Sequence, residues 1–460
     1  MTEAPRQLTL EEWDRRYEQL DQAGLIQPRY GGRLSRHLHD GDYRLAKLRY
    51  DNSPAALRLW NFLLTEEDRL REARECGKRV VGTMKDLGTV PVIAYSFSNL
   101  VAFYPDGAWW IPCVMELSAG LLEIADSLGI DESFCPVRAM LGAFVTRCHF
   151  PVPDLLVCSA GAVCDDFSAI AQRLEDLGHR ILWWEVPHRP VPEPNEVSVL
   201  LPGGLPAPER QVDLVKSELL RVKEALEALA GTSLDETALH AGIKKANEIR
   251  RCLAELRRLV YTAQCCPMPA LEMLIAEMLA IHYCSDRDEC LRVLEALLSE
   301  VRRRIASGVG VLGADAARVF WVNPVADLRA MNLLEACGGR ICGTEYLFTH
   351  ALDAIPQDRP PMEALAATAL ADPMAGSSRQ RAERICRDIG EFGAEAVVVS
   401  RIPGASHCAL EGWTIQEVVR SKMDIPILEI EVPPVADAAG PGLRTRLEAL
   451  VETVKRRRRT

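Results

Sequence analysis

Short runs rich in β-branched and aromatic side chains recur along this chain, and most are followed by a stretch whose apolar residues return every three or four positions. The first group is KRVVGTM (Lys78–Met84), PDLLVCSA (Pro153–Ala160) and RILWWEVP (Arg180–Pro187). The second is ARVFWVNP (Ala317–Pro324), RICGTEY (Arg340–Tyr346), AEAVVVSR (Ala394–Arg401) and DIPILEIEVP (Asp424–Pro433). Strands that alternate with helices at this spacing predict mostly parallel sheets with right-handed crossovers. Two similar α/β halves facing each other would leave a cleft between them.

At 460 residues the chain exceeds one ordinary hydrophobic core. Residues 1–75 are polar, and LEEWDRRYEQLDQAG is amphipathic, which predicts an N-terminal helical arm suited to subunit contact. A first α/β lobe is expected over 76–205, with helices in VMELSAGLLEIADSLG and in DDFSAIAQRLEDLG, the latter capped by Asp165 and Asp166. It closes in HRPVPEPNEVSVLLPGGLPAPER, whose Pro and Gly content marks a linker or long crossover. Helical periodicity near Val212–Leu229, Leu234–Tyr261, Ala270–Tyr283 and Asp288–Ser307 predicts a helical insert over 206–312, and a second α/β lobe follows over 313–460.

The formal charge of −11 argues against nucleic acid, because phosphate binding needs a basic face and the dense basic run Lys455–Arg459 reads as a solvated tail. No basic start followed by an apolar stretch, and no run of about eighteen apolar residues, points to export or a membrane. A cytoplasmic location is expected. Fifteen cysteines in a reducing compartment are reduced core residues or metal ligands rather than disulfides, and such a chain suits anaerobic metabolism. No G-x-x-x-x-G-K-[ST], G-x-S-x-G or H-E-x-x-H segment occurs, so any ATP-driven step belongs to another protein.

Three cysteines fall near the carboxyl ends of expected strands: Cys135 in ESFCPVRAML, Cys164 in PDLLVCSAGAVCDDF and Cys408 in AEAVVVSRIPGASHC. Open α/β sheets gather their chemistry at that edge. A dispersed set without a local C-x-x-C run fits one metal cluster pinched between two domains. Cys164 opens a helix, where the dipole and free N–H groups favour a thiolate. The bland alternative is a buried small hydrophobe, which also explains Cys158 inside its strand and Cys265, Cys266, Cys284 and Cys290 in the insert. Arg138 could offset cluster charge, and His407 is a weaker candidate for ligand or proton donor. Three thiolates would leave one iron of a four-iron cluster open to a substrate oxygen; a fourth, from Cys337 or Cys342, would close it for electron transfer alone. The Trp109–Trp110 and Trp183–Trp184 pairs could line a cleft for an acyl substrate or simply pack.

Taken in order, ESFCPVRAMLG, PDLLVCSAGAVCDDF, GTSLDETALHAGIKKANEIRRCLAELRRL followed by PMPALEML, AEAVVVS with its cysteine loop, and GPGLRTRLEALVE resemble the 2-hydroxyacyl-CoA dehydratase and benzoyl-CoA reductase family. The resemblance implies two Rossmann- or flavodoxin-like lobes holding a [4Fe–4S] cluster through Cys135, Cys164 and Cys408. It also implies a homologous second subunit or self-association, a separate ATP-hydrolysing iron–sulfur activator, and an acyl-CoA thioester made into a ketyl-type radical. Where many members carry P-E-E-L leading to A-A-G, this chain reads VIAYSFSNLVAFYPDGAWW, closer to benzoyl-CoA reductase subunits. Dehydration and aromatic reduction both stay open on these grounds. So do a double-cubane-cluster reductase and a non-catalytic scaffold.

Overall fold

Each of those apolar runs forms a strand, and every pairing within the two main sheets is parallel. A computed structural model describes residues 3–25, 30–38, 44–85, 88–107, 118–434 and 440–460. Near the N-terminus β1 (Gln7–Leu8) and β2 (Tyr50–Asp51) make a small antiparallel ladder. The first sheet contains β3 (Arg79–Met84), β4 (Leu100–Phe103), β5 (Leu155–Gly161) and β6 (Ile181–Val186) in the order β4-β3-β5-β6. A short hairpin of β7 (Ser198–Leu200) and β8 (Pro206–Pro208) follows in the Pro/Gly-rich stretch. The second sheet contains β9 (Ala317–Val322), β10 (Gly339–Glu345), β11 (Ala396–Arg401) and β12 (Ile427–Glu431) in the order β10-β9-β11-β12.

Numbered within its own sheet, each set of four reads 2-1-3-4. The chain leaves strand 1 toward one side and strand 3 toward the other, so a crevice opens at their carboxyl ends. The halves repeat even in backbone detail. Lys85 and Asn323 each stand one residue past strand 1 of their sheet, and both are left-handed, with φ of 67° and 69°. Such a conformation is uncommon away from glycine and collects at functional sites.

Between the halves run the helices Glu209–Ala230, Glu236–Thr262, Ala270–His282 and Arg287–Ala306. Every residue of Ala270–His282 is buried, including Glu272 and Glu277, which marks it as the central strut. The N-terminal segment departs from the expected arm. Trp13, Tyr50 and Trp60 are fully buried, the Trp60 indole N–H donates to Glu272 at 3.1 Å, and Arg304 grips Asp51 beneath the surface. The helix Leu10–Gln22 packs on neighbouring N-terminal segments, and the helix Pro54–Leu64 carries them onto the central helices Ala270–His282 and Arg287–Ala306.

The basic run is likewise no free tail. Lys455 pairs with Asp315 at 2.9 Å and Arg457 with Asp424 at 3.2 Å, while the helix Gly440–Arg457 buries Leu443, Leu447, Leu450, Val451 and Val454. Acidic neighbours distant in sequence pair with Lys455, Arg457 and Arg458 of it. The strand β4 was not expected, because LVAF is short and lies between polar SN and the Tyr-Pro that ends it. The helix expected over VMELSAGLLEIADSLG is present as Ser118–Ser127, and its first residues lie outside the described ones.

One consequence for stability is testable. Burial pushes the Glu335 carboxyl up to about 8, although it accepts from the Ala270 N–H at 2.7 Å and from Gln7. The folded chain therefore holds a proton that the unfolded chain sheds near its ordinary carboxyl value. Stability from this group is full below about pH 4.5 and declines as pH climbs through about 8. Glu335→Gln should flatten the pH dependence of urea unfolding between about pH 5 and 7.5, by up to ~1.4 kcal/mol per pH unit. An unchanged slope would refute the assignment.

Candidate functional site

A cavity of about 110 Å³ lies where the carboxyl ends of both sheets meet. Its wall takes Lys85 from the end of β3, Asp106 from beyond β4, Cys164, Asp166 and Phe167 from beyond β5, Pro324 from beyond β9, Tyr346, Leu347 and Phe348 from beyond β10, and Ile402 to Cys408 from beyond β11. Cys135 and Val137 arrive on the loop before the helix Ala139–Thr146, and Met278 and Ile281 on the central helix. The three cysteines singled out from the sequence are thus brought to one cavity, along with His407. They come from loops 29 and 244 residues apart, the differences 164 − 135 and 408 − 164.

Asp166 fastens those loops together. Its Oδ1 accepts the Cys135 N–H at 3.1 Å, its Oδ2 accepts the Ser406 N–H at 3.3 Å, and the Cys164 thiol donates to the same Oδ2 at 3.4 Å. The expected capping role is corrected here. The N-cap of the helix Asp165–Asp176 is Cys164, with no side-chain cap, and Asp166 spends its acceptors across the cavity. A carboxylate with three donors from three loops orders the site more strongly than a local cap would. Gly404 completes the closure. At φ 77° it lies against the Cys135 loop so closely that a Cβ would fall 2.4 Å from the Phe134 carbonyl oxygen.

On the other side, Arg381 anchors the Cys408 loop from below. It donates to Glu345 at 3.0 Å, to Glu411 at 2.6 Å and to the Asn323 Oδ1 at 2.5 Å. Asn323 in turn donates to the carbonyls of Ser400 at 2.7 Å and Cys408 at 3.2 Å. The left-handed backbone at Asn323 is what lets one side chain reach both the strand end and the cysteine loop. Sequence reasoning missed Asp166 in this role, Arg381, Asn323 and Lys85, since their partners lie far away along the chain.

Electrostatics keep the thiols neutral until a cation arrives. Burial pushes Cys164 up to about 12, with Asp166 adding to it, and this overrides the Phe167 N–H at the helix start that pulls the other way. The N–H groups at the helix start favour the thiolate, as expected, and burial outweighs them. Cys135 is raised by burial and then by its neighbour Cys164, and Cys408 is raised by burial against the pull of Arg381. A bound metal reverses this balance and releases the protons. Burial also lowers His407, whose Nδ1 meets the Ser406 hydroxyl at 3.2 Å, and lowers Lys85, whose ammonium donates to Ser168 at 3.2 Å.

The donor set at this cavity is three thiols with one imidazole and two carboxylates. Among the described residues no three His, Cys, Asp or Glu side chains are arranged to hold a metal ion, and the three thiols share one cavity wall. Cys337 and Cys342 are not brought to this wall. Cys337 faces the Arg444 carbonyl at 3.8 Å, and Cys342 is buried within β10 near Arg318 and Arg340. Cys158 sits inside β5, and Arg138 turns away to Asp126 and the Phe134 carbonyl at 3.3 and 3.2 Å. Trp183 and Trp184 belong to β6 and do not line the cavity; Trp109 and Trp110 lie outside the described residues.

Among curated proteins none matches the sequence. The family model described as 2-hydroxyglutaryl-CoA dehydratase, D-component, matches residues 97–454, a span that includes all three cysteine loops and the whole second sheet and begins after β3. With that match over most of its length, and with two flavodoxin-like sheets closing on one thiol-lined cavity, the chain belongs to the 2-hydroxyglutaryl-CoA dehydratase D-component family.

Proposed function

We propose that this chain is the cluster-carrying component of a 2-hydroxyacyl-CoA dehydratase, with Cys135, Cys164 and Cys408 holding a [4Fe–4S] group. The observation that carries the reading is the convergence of three thiols, from loops distant in sequence, on one cavity at the paired crevices. When bound, such a group supplies a low-potential electron and one iron open to a thioester oxygen. The chain's own residues do the rest. Val137, Phe167, Met278, Ile281, Leu347 and Phe348 keep water out, Asp166 holds the loops in register, and Lys85 puts a cation beside the developing oxyanion. The absence of a phosphate-binding loop in the sequence fits an electron delivered by a separate ATP-hydrolysing activator, in the cytoplasm, to an assembly with a homologous or identical subunit.

The test is iron and acid-labile sulfide per chain after anaerobic purification, followed by assay of 2-hydroxyglutaryl-CoA dehydration with a low-potential electron source. About four irons and formation of the enoyl thioester support the reading. About eight irons would favour the double cubane, and reduction of benzoyl-CoA in place of dehydration would favour the reductase. No iron after reconstitution would sink the cluster assignment.

A further inference from the structure

Behind the apolar wall lies a buried acid–base group that none of the roles above uses. Asp106 lines the cavity just beyond β4, on the first half. The central helix brings Met278 and Ile281 to the same wall, and its last residue, His282, lies directly after them. His282 Nδ1 stands 3.6 Å from the Glu66 carboxylate, an ion-pair distance, and its ring meets Tyr104 edge-on at 5.9 Å. Gly107 locks the three together. A Cβ there would lie 3.4 Å from His282 Cε1 and 3.6 Å from Glu66 Oε2, so the backbone leaving Asp106 rests on both side chains.

This cluster is unusual for what it leaves unpaired. Asp106 Oδ1, Glu66 Oε1 and both ring nitrogens of His282 are buried without a hydrogen-bond partner. The large majority of such atoms in a native interior find a partner, and four of them here fall on three neighbouring side chains. We propose that Asp106, with the His282–Glu66 pair behind it, is a proton relay opening into the cavity, Asp106 being the group that faces substrate.

The inference rests on the dehydration reading for its chemistry. Dehydration breaks the C–O bond at carbon 2 and a C–H bond at carbon 3, and the electron that enters is returned. Hydroxide and proton together make water, leaving the enoyl thioester. In the relay, the Asp106 carboxylate takes the carbon-3 proton. Asp106 then hands it to the departing hydroxide, while the His282–Glu66 pair behind sets its basicity, so the groups end in their starting states. The charges facing the relay are Glu66 and Arg69 from the helix Glu66–Glu75, Asp106 beyond β4, and His282 on the central helix. Burial raises Asp106 to about 6, within reach of a working base at neutral pH. Burial alone would lower His282, but Glu66 and then Asp106 outweigh it and raise the imidazole above its ordinary value.

Two measurements on the full chain test the relay, with cluster content recorded for each variant. In the first, ring-nitrogen-labelled histidine is titrated by NMR, with His282→Gln to assign the signal. Asp106→Asn and Glu66→Gln should each lower the His282 midpoint by at least about half a pH unit. A midpoint unmoved in both variants overturns the relay. In the second, Asp106→Asn should cut kcat on 2-hydroxyglutaryl-CoA about 10²- to 10⁴-fold, with KM and iron content kept. Undiminished kcat overturns it as well. Should the iron-replete wild type dehydrate no 2-hydroxyacyl thioester, the dehydratase reading fails by itself, and the titration still decides whether the relay exists.

Discussion

Cys164→Ser is expected to lower the iron retained by an anaerobically purified chain by about tenfold or more, while the fold survives. Cys164 is the middle ligand of the proposed set. It shares Asp166 with both other loops, and its sulfur lies 3.9 Å from the Ser406 hydroxyl. Serine matches its shape but is a far poorer ligand for iron, because it does not give up its proton as a thiol does and is a harder donor. Cys342→Ser and Cys158→Ser serve as controls, since those thiols sit inside strands away from the cavity. Iron kept in Cys164→Ser but lost in Cys342→Ser would reverse the ligand assignment.

Arg381→Met should destabilise the chain by about 3–5 kcal/mol, measured by urea unfolding at neutral pH. The guanidinium is 1% exposed and joins Glu345, itself 1% exposed, to Glu411 and Asn323. Methionine fills most of the volume but leaves two carboxylates in a low-dielectric pocket with no cation, and such a broken pair costs far more than the intact one contributes. Lysine at this position should recover only part of the loss, because a point charge cannot fork to three acceptors. The Cys408 loop should loosen too, through Asn323, and iron content should fall less steeply than in Cys164→Ser. A loss under about 1 kcal/mol would mean that the carboxylates find other partners or water.

Local pattern made most strands and helices legible. β5, β9 and β11 match their apolar runs to within two residues, and the four long helices end close to where their periodicity stops. The cysteine loops could be placed because each follows or precedes such an element. What pattern could not supply was anything made by contact at long range. β4 was too short to announce itself, and with it went Asp106. Asp166 reads as a cap in any window of its own helix, yet its acceptors serve loops 31 residues before it and 240 after it. Lys455 to Arg459 reads as a tail until Asp315, Asp424 and Glu395 are seen beside it.

The two sheets share one topology, but the proposed ligands are divided unequally, two thiols on the first half and one on the second. In mechanical terms such a cofactor is a rivet through the seam of a folded duplicate. Oxygen that strips the metal would then do more than stop turnover: with the rivet gone, the loops are left to the Asp166 clasp, the Gly404 contact and the Arg381–Asn323 anchor. The apolar seam becomes the part of the molecule that opens first, and an opened apolar seam is what proteases and chaperones act upon. Damage to the cofactor would thereby mark the whole chain for removal.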